Sequence, residues 1–283
     1  MRVLTYLKIK PDCNLQLAPF GNCLVTSFQD SKTVHEVQVD CQLTPKGLAL
    51  SQPGSIVLRH PPFCPMLHLD PKQKATYDSN AGVSVAVAVI LETSDTKVLI
   101  TRRPPHMRTF PNVWVPPGGG SEESESLIET GLREVREETG LDIKNLMQFA
   151  EPLCLWESVY PPLLAKGQPK RHQIVLYLHA LVHKSSQELD IKLDPMETDA
   201  CAWLNLEQIN LAVNYELELN PDHKLKVWEL KKDDLQLHET FKSYDLLRAD
   251  VPNTGSFDVE RISTGTRFAL EQFFKKKKTS SNM

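Results

Sequence analysis

Most features that assign a chain to a class at first sight are missing here. The longest mainly apolar stretch, Ala81 to Leu91, is 11 residues, against the roughly 20 that a membrane-spanning helix needs. Near the start, Val3 to Leu7 is too short for the apolar region of a signal peptide. The closing Ser281-Asn282-Met283 is no organelle address. The six cysteines (Cys13, Cys23, Cys41, Cys64, Cys154, Cys201) form no C-x-x-C pair and no Cys/His zinc spacing. They are expected to be reduced thiols in the cytoplasm or nucleus of a cell. Lys and Arg number 32 against 36 Asp and Glu, a net charge of −4. That excludes a global basic field, so neither DNA nor a membrane surface is an expected partner. Any polyanion has to be met locally or through metal ions. Glycine is sparse, 12 in 283 residues, and forms neither a phosphate-cradling G-x-x-x-x-G-K-S/T loop nor a G-x-G-x-x-G dinucleotide fingerprint.

What is present falls into three stretches. Residues 1–79 mix short apolar runs with prolines, notably Pro61-Pro62-Phe63-Cys64-Pro65, which suits a β-rich extension ending in a polar linker. Residues 80–225 carry the strongest patterning. Val83 to Leu91 reads as a buried strand and Val98 to Thr101 as a second. A helix is expected over Ser124 to Thr139, with Gly140 ending it in a left-handed conformation. Gln173–Val182 and Ala200–Leu206 read as further strands, followed by a weak helix over Glu207–Val213. Strands interleaved with helices predict an α/β fold, a mixed sheet with helices packed on it. Residues 226–283 are polar and helix-prone, with an amphipathic Thr264–Phe274 capped by Ser263 and a basic tail, Lys275 to Lys278, expected to be solvated.

The acidity is concentrated. Seven glutamates lie between Glu122 and Glu138, offset only by Arg133 and Arg136, a local charge of −5 that leaves the rest of the chain close to neutral. On a helix Glu134 and Glu138 stand one turn apart and Glu137 lies within about 100° of both. Such a face either stays solvated or binds a hard divalent cation, Mg²⁺ or Mn²⁺, which takes oxygen ligands and completes its shell with phosphate and water. Immediately ahead of it, Pro116-Pro117-Gly118-Gly119-Gly120 offers backbone that a ligand can approach closely, or a plain flexible turn.

Together these residues spell a known signature. Gly119, Glu125 and Arg133-Glu134-Val135-Arg136-Glu137-Glu138-Thr139-Gly140-Leu141 match G-x5-E-x7-R-E-U-x-E-E-x-G-U, nine restricted positions over 23 residues, without departure. The chain thus resembles the Nudix hydrolases. The resemblance implies a Nudix-type α/β/α sandwich with N- and C-terminal extensions, and metal-dependent hydrolysis of a nucleoside diphosphate linked to another moiety. It also implies roles: Glu134, Glu137 and Glu138 as metal ligands, with Glu137 also catalytic. Glu125 and Arg133 become a structural ion pair, and Gly119 and Gly140 the structural glycines of the box.

Outside the box, the segments Pro61–Pro65, Trp114–Gly119, Leu155–Pro162 and Ser263–Leu270 resemble a vertebrate branch of that family. Its implied substrate is capped RNA, from which N7-methyl-GDP is released. A cationic N7-methylguanine stacks well on aromatic rings, which makes Trp156, Tyr160 and Trp114 candidate substrate contacts, each with core packing as its alternative. His172 is a candidate phosphate contact. The catalytic base is expected from a loop outside the box, with Glu197 the candidate and Asp199 its rival. Coenzyme A, ADP-ribose and dinucleoside polyphosphates are alternative nucleotide substrates. A non-catalytic nucleotide- or RNA-binding module on the same scaffold is the alternative of a different class.

Overall fold

The computed structural model describes residues 3–281 except 9–13, 30, 32, 45–46, 79, 123–124, 221, 232–235 and 249–258. Cys13 and Ser124, named above, lie outside the described residues. The fold is mixed α/β. Contacts group the chain into two compact units, Met1–Ala88 with Gly119–Thr130 and Pro152–Tyr177, and Val89–Gly118 with Gly131–Glu151 and Leu178–Met283.

In the first unit the long strand Gly47–Arg59 is the hub. It pairs antiparallel with Glu36–Thr44, parallel with Leu4–Lys8, and parallel with the strand Met147–Tyr160 through Leu58 opposite Leu155 and Arg59 opposite Trp156. The strand Glu36–Thr44 alternates as its sequence does, Val37 and Val39 inward and Glu36 and Gln38 outward. Its register shifts after Val39, where Gly54 comes so close that a Cβ there would lie 1.8 Å from the Asp40 nitrogen. Only glycine fits that bulge.

The second unit is built on Val98–Arg102, which pairs antiparallel with Ala200–Leu204 on one side and with Val113–Val115 on the other. Its core gathers Val89, Leu91, Leu99, Ala180, Val182 and Cys201 from strands with Val135 of the acidic helix, Leu127–Thr139. The strand Ser84–Glu92 is buried at every position after the first, as its continuous apolar run requires.

Several expectations need correction. The region beyond residue 215 is not chiefly helical: Lys224–Leu230 and Leu237–Ser243 form an antiparallel pair. Leu225 and Val227 face inward between exposed Lys224 and Lys226, so a period of two prevails over helix propensity. Met147–Tyr160, where no strand was expected, is a 14-residue strand. Its buried Glu157 is satisfied by partners far away in sequence, Cys23 and Leu24. The lysines of residues 275–278 continue the helix Thr264–Ser281; Lys275 and Lys278 are exposed as expected, whereas Lys276 and Lys277 are half-buried. Lys276 bonds Glu151 and His179, and Lys277 bonds buried Glu92 at 2.6 Å. Ser263 does cap this helix, its hydroxyl accepting the Thr266 amide hydrogen at 3.0 Å. Among the described residues no helix is long and apolar enough to cross a membrane.

Candidate active site

Val135, fully buried, fixes the rotation of the acidic helix and thereby the fate of its carboxylates. Glu134 and Glu138 turn inward, 8% and 6% exposed, whereas Glu137 is exposed. Arg133 bridges the two environments, donating to Glu134 Oε1 at 2.9 Å and to Glu137 Oε2 at 2.8 Å.

Glu138 is the most constrained. Its Oε1 accepts the Gly118 amide hydrogen at 3.1 Å, and its Oε2 accepts the Thr101 hydroxyl at 3.3 Å. Burial pushes its pKa up to about 8; the Gly118 amide opposes the rise, and the Glu134 and Glu197 charges add to it. Burial likewise raises Glu134, against the pull of Arg133.

Glu197 arrives from a loop that is tied to the end of the helix. Lys192 N–H donates to the Thr139 carbonyl at 2.8 Å, and Asp194 N–H to the Glu138 carbonyl at 3.2 Å. The Thr198 hydroxyl donates to that same Glu138 carbonyl at 2.9 Å. These carbonyls have no partner within the helix, so the loop satisfies groups that would otherwise be orphaned. Gly140, at φ +71°, lets the chain leave the helix where a Cβ would press on Lys192. Carboxylate oxygens of Glu134, Glu138 and Glu197 thereby come within 4.8 Å of one another.

Three hard oxygen donors so close repel one another unless a cation joins them, and the set fits a divalent ion that prefers carboxylate oxygen. Glu137 is not in this group; its carboxylate is held by Arg133. The three glycines form a short strand, Gly118–Gly120, rather than an open loop. Glu125 Oε1 accepts the Glu122 amide hydrogen at 2.6 Å and the Thr130 hydroxyl at 2.9 Å, which ties the approach to the helix.

Two aromatic candidates change role. Trp114 is fully buried and its indole N–H donates to Glu260 at 3.0 Å, so the ring has no free face for a base. Trp156 is 7% exposed and packs within its strand. Tyr160, half-buried, ends that strand. His172 is no phosphate contact: it is buried, with Nε2 2.9 Å from Glu157 and Nδ1 against the Phe20 carbonyl. Asp199, the rival base, is held by Arg102 at 2.7 Å.

Sequence reasoning missed Thr101 and Arg102. Arg102 gathers Asp199, Glu229 and Glu260 within 3.0 Å, and its pKa is raised by Asp199 and Glu260 against the cost of burial. Neither residue stands in a motif. Only the strand pairing brings them beside the site.

A carboxylate cradle on a helix entered through a glycine strand, with a further acid from a distant loop, is the arrangement of a Nudix centre. The chain belongs to the Nudix family, whose domain model (NUDIX domain) matches residues 82–226. Three relatives carry the name m7GpppN-mRNA hydrolase NUDT17. That of Danio rerio is 35% identical over 97% of this chain and 95% of its own length. That of Xenopus laevis is 36% identical over 99% and 97%. The Homo sapiens relative is 38% identical over 82% of this chain and 76% of its own.

Proposed function

We propose that this protein hydrolyses the pyrophosphate linkage of N7-methylguanosine-capped RNA, releasing N7-methyl-GDP, with Mg²⁺ or Mn²⁺ as its cofactor. The catalytic half of the reading is carried by the close approach of the Glu134, Glu138 and Glu197 carboxylates. The substrate half is supported by likeness to relatives of that activity along nearly the whole chain, not merely across the shared domain.

Glu134 and Glu138 would hold the ion, with Glu137 one turn outward alongside Arg133. When bound, a divalent ion supplies charge neutralisation for the pyrophosphate and acidifies water at neutral pH. The remaining work is the chain's own. Glu197, exposed and close to Glu134 and Glu138, takes a proton from the attacking water. The water oxygen bonds to one phosphorus, the bridging P–O bond breaks, and the bridging oxygen leaves with one of the two phosphate products. Gly118 and Thr101 keep the Glu138 carboxylate aligned throughout.

The test offers purified protein capped RNA, coenzyme A, ADP-ribose and diadenosine polyphosphates with either ion, and reads products by mass spectrometry. N7-methyl-GDP from capped RNA in preference to the other products is expected. Cleavage of another substrate alone would reassign the substrate, and no cleavage of any would remove the enzymatic reading.

A further inference from the structure

The first unit contains a second group of metal-ligating side chains that the site above does not use. Cys23, His60 and Cys64 are 2%, 0% and 0% exposed. One donor atom from each lies within 4.8 Å of the others. The cysteines are free thiols, not a disulfide. Three chain segments converge here. Cys23 precedes the short helix Leu24–Phe28, and His60 follows the strand Gly47–Arg59. Between them and Cys64 runs Pro61-Pro62-Phe63, where the Cys64 amide donates to the Pro61 carbonyl at 2.9 Å. That proline-set turn carries Cys64 back toward His60.

We propose that Cys23, His60 and Cys64 form a structural zinc site, with the Glu157 carboxylate as its fourth donor. Four observations support it. The donors are two sulfurs and an imidazole, the set that selects zinc over the Mg²⁺ or Mn²⁺ suited to the glutamate cradle.

The dimensions also fit. Zinc bond lengths at tetrahedral angles put donor atoms about 3.5–3.8 Å apart. Closing from at most 4.8 Å asks for no more than about an ångström of side-chain movement.

Both nitrogens of the buried His60 face carbonyl oxygens, Nδ1 at 2.8 Å from Pro61 and Nε2 at 3.1 Å from Val34. A neutral imidazole has one N–H, so its other nitrogen presents a lone pair where no proton is offered. A ring that ligates a metal through one nitrogen and donates from the other to a backbone carbonyl is the usual second-shell arrangement.

Last, Glu157 is fully buried and already lies 3.3 Å from Cys23 Sγ. It is held there by Leu24 N–H at 2.9 Å and His172 at 2.9 Å. On binding, the two thiols release their protons to solvent, and one dication balances two thiolates, so no net charge is buried by that exchange.

The consequence is a clasp on the N-terminal segments, distinct in chemistry from the catalytic ion. Full-length protein would be purified under reducing conditions with zinc present, dialysed against EDTA, and its metal content measured by inductively coupled plasma mass spectrometry. About one zinc per chain is expected to remain in wild type and in Glu138→Gln, and to be lost in Cys64→Ser and His60→Asn. Reconstitution of wild type with Co²⁺ gives a reading independent of whether the variants fold: thiolate-to-cobalt charge-transfer absorption is expected. Absence of that band, retention of zinc by Cys64→Ser, or a Cys23–Cys64 disulfide in the reduced preparation would each overturn the proposal.

Discussion

Glu138 joins three elements at once: its carboxylate accepts from Gly118 and Thr101, and its carbonyl accepts from Thr198. Glu138→Gln keeps the size of the side chain but removes a charge that the proposed ion needs. Turnover of capped RNA is expected to fall by at least 10²-fold, the usual scale for losing one group that stabilises the transition state. In thermal denaturation, saturating Mg²⁺ or Mn²⁺ should raise the midpoint of wild type, because a ligand at 100 times its Kd stabilises the folded state by about 2.7 kcal/mol. The variant should gain much less. A Glu138→Gln enzyme within tenfold of wild type would remove this residue from the metal assignment.

Glu197 differs in being exposed and outside any helix or strand. Glu197→Gln should therefore leave the melting temperature nearly unchanged, within the roughly 0.5 kcal/mol typical of surface positions. Its kcat should drop 10²–10⁴-fold. A loss below tenfold would rule out a general base at this position.

Trp114 tests the separation of packing from recognition. Trp114→Phe keeps an aromatic core but deletes the N–H that Glu260 accepts. Stability should fall by about 0.5–1.5 kcal/mol, the net worth of one hydrogen bond, because half-buried Glu260 keeps Arg102 and Lys242 as partners, while KM for capped RNA stays within a factor of about two of wild type. A large KM increase in a stable variant would return this ring to the substrate.

The C-terminal helix is held by an acid-sensitive lock. Burial alone would raise the Glu92 pKa, but hydrogen bonds from His179 and Lys277 outweigh it and hold the carboxyl below its ordinary value of 4.5. A carboxyl depressed on folding contributes stability that is present above the unfolded pKa and disappears as pH falls through the folded one. The Glu92 contribution to stability is thus expected to be constant near neutrality and to be lost below about pH 4.5. Lys277→Met should cost about 1–3 kcal/mol at neutral pH, the cost of a buried acceptor losing a donor. It should also shrink the acid-linked drop, because a folded Glu92 pKa raised toward the unfolded value leaves less stability to lose on acidification, a change that pH-dependent scanning calorimetry would detect. An acid-linked drop as large as that of wild type would mean that Lys277 contributes nothing to the lock.

What the residues alone settled is local. The box from Gly119 to Leu141 is readable because a helix repeats every 3.6 residues, so the spacing of Glu134 and Glu138 already places both on one face. The buried strand at 84–92 was legible for the same kind of reason: a run of β-branched residues needs no distant partner to be recognised. The tertiary structure decided everything that depends on which segments meet. It brought the Glu197 carboxylate beside Glu134 and Glu138, paired Asp199 with Arg102, and buried Trp114 in the core. Cysteine spacing argued against zinc, yet Cys23 reaches His60 and Cys64 across the fold. Hydrogen bonds 60 residues apart, such as Thr198 to Glu138, leave no periodic trace in the chain. Their geometry is set by sheet register and core packing, and those exist only once the whole chain has folded.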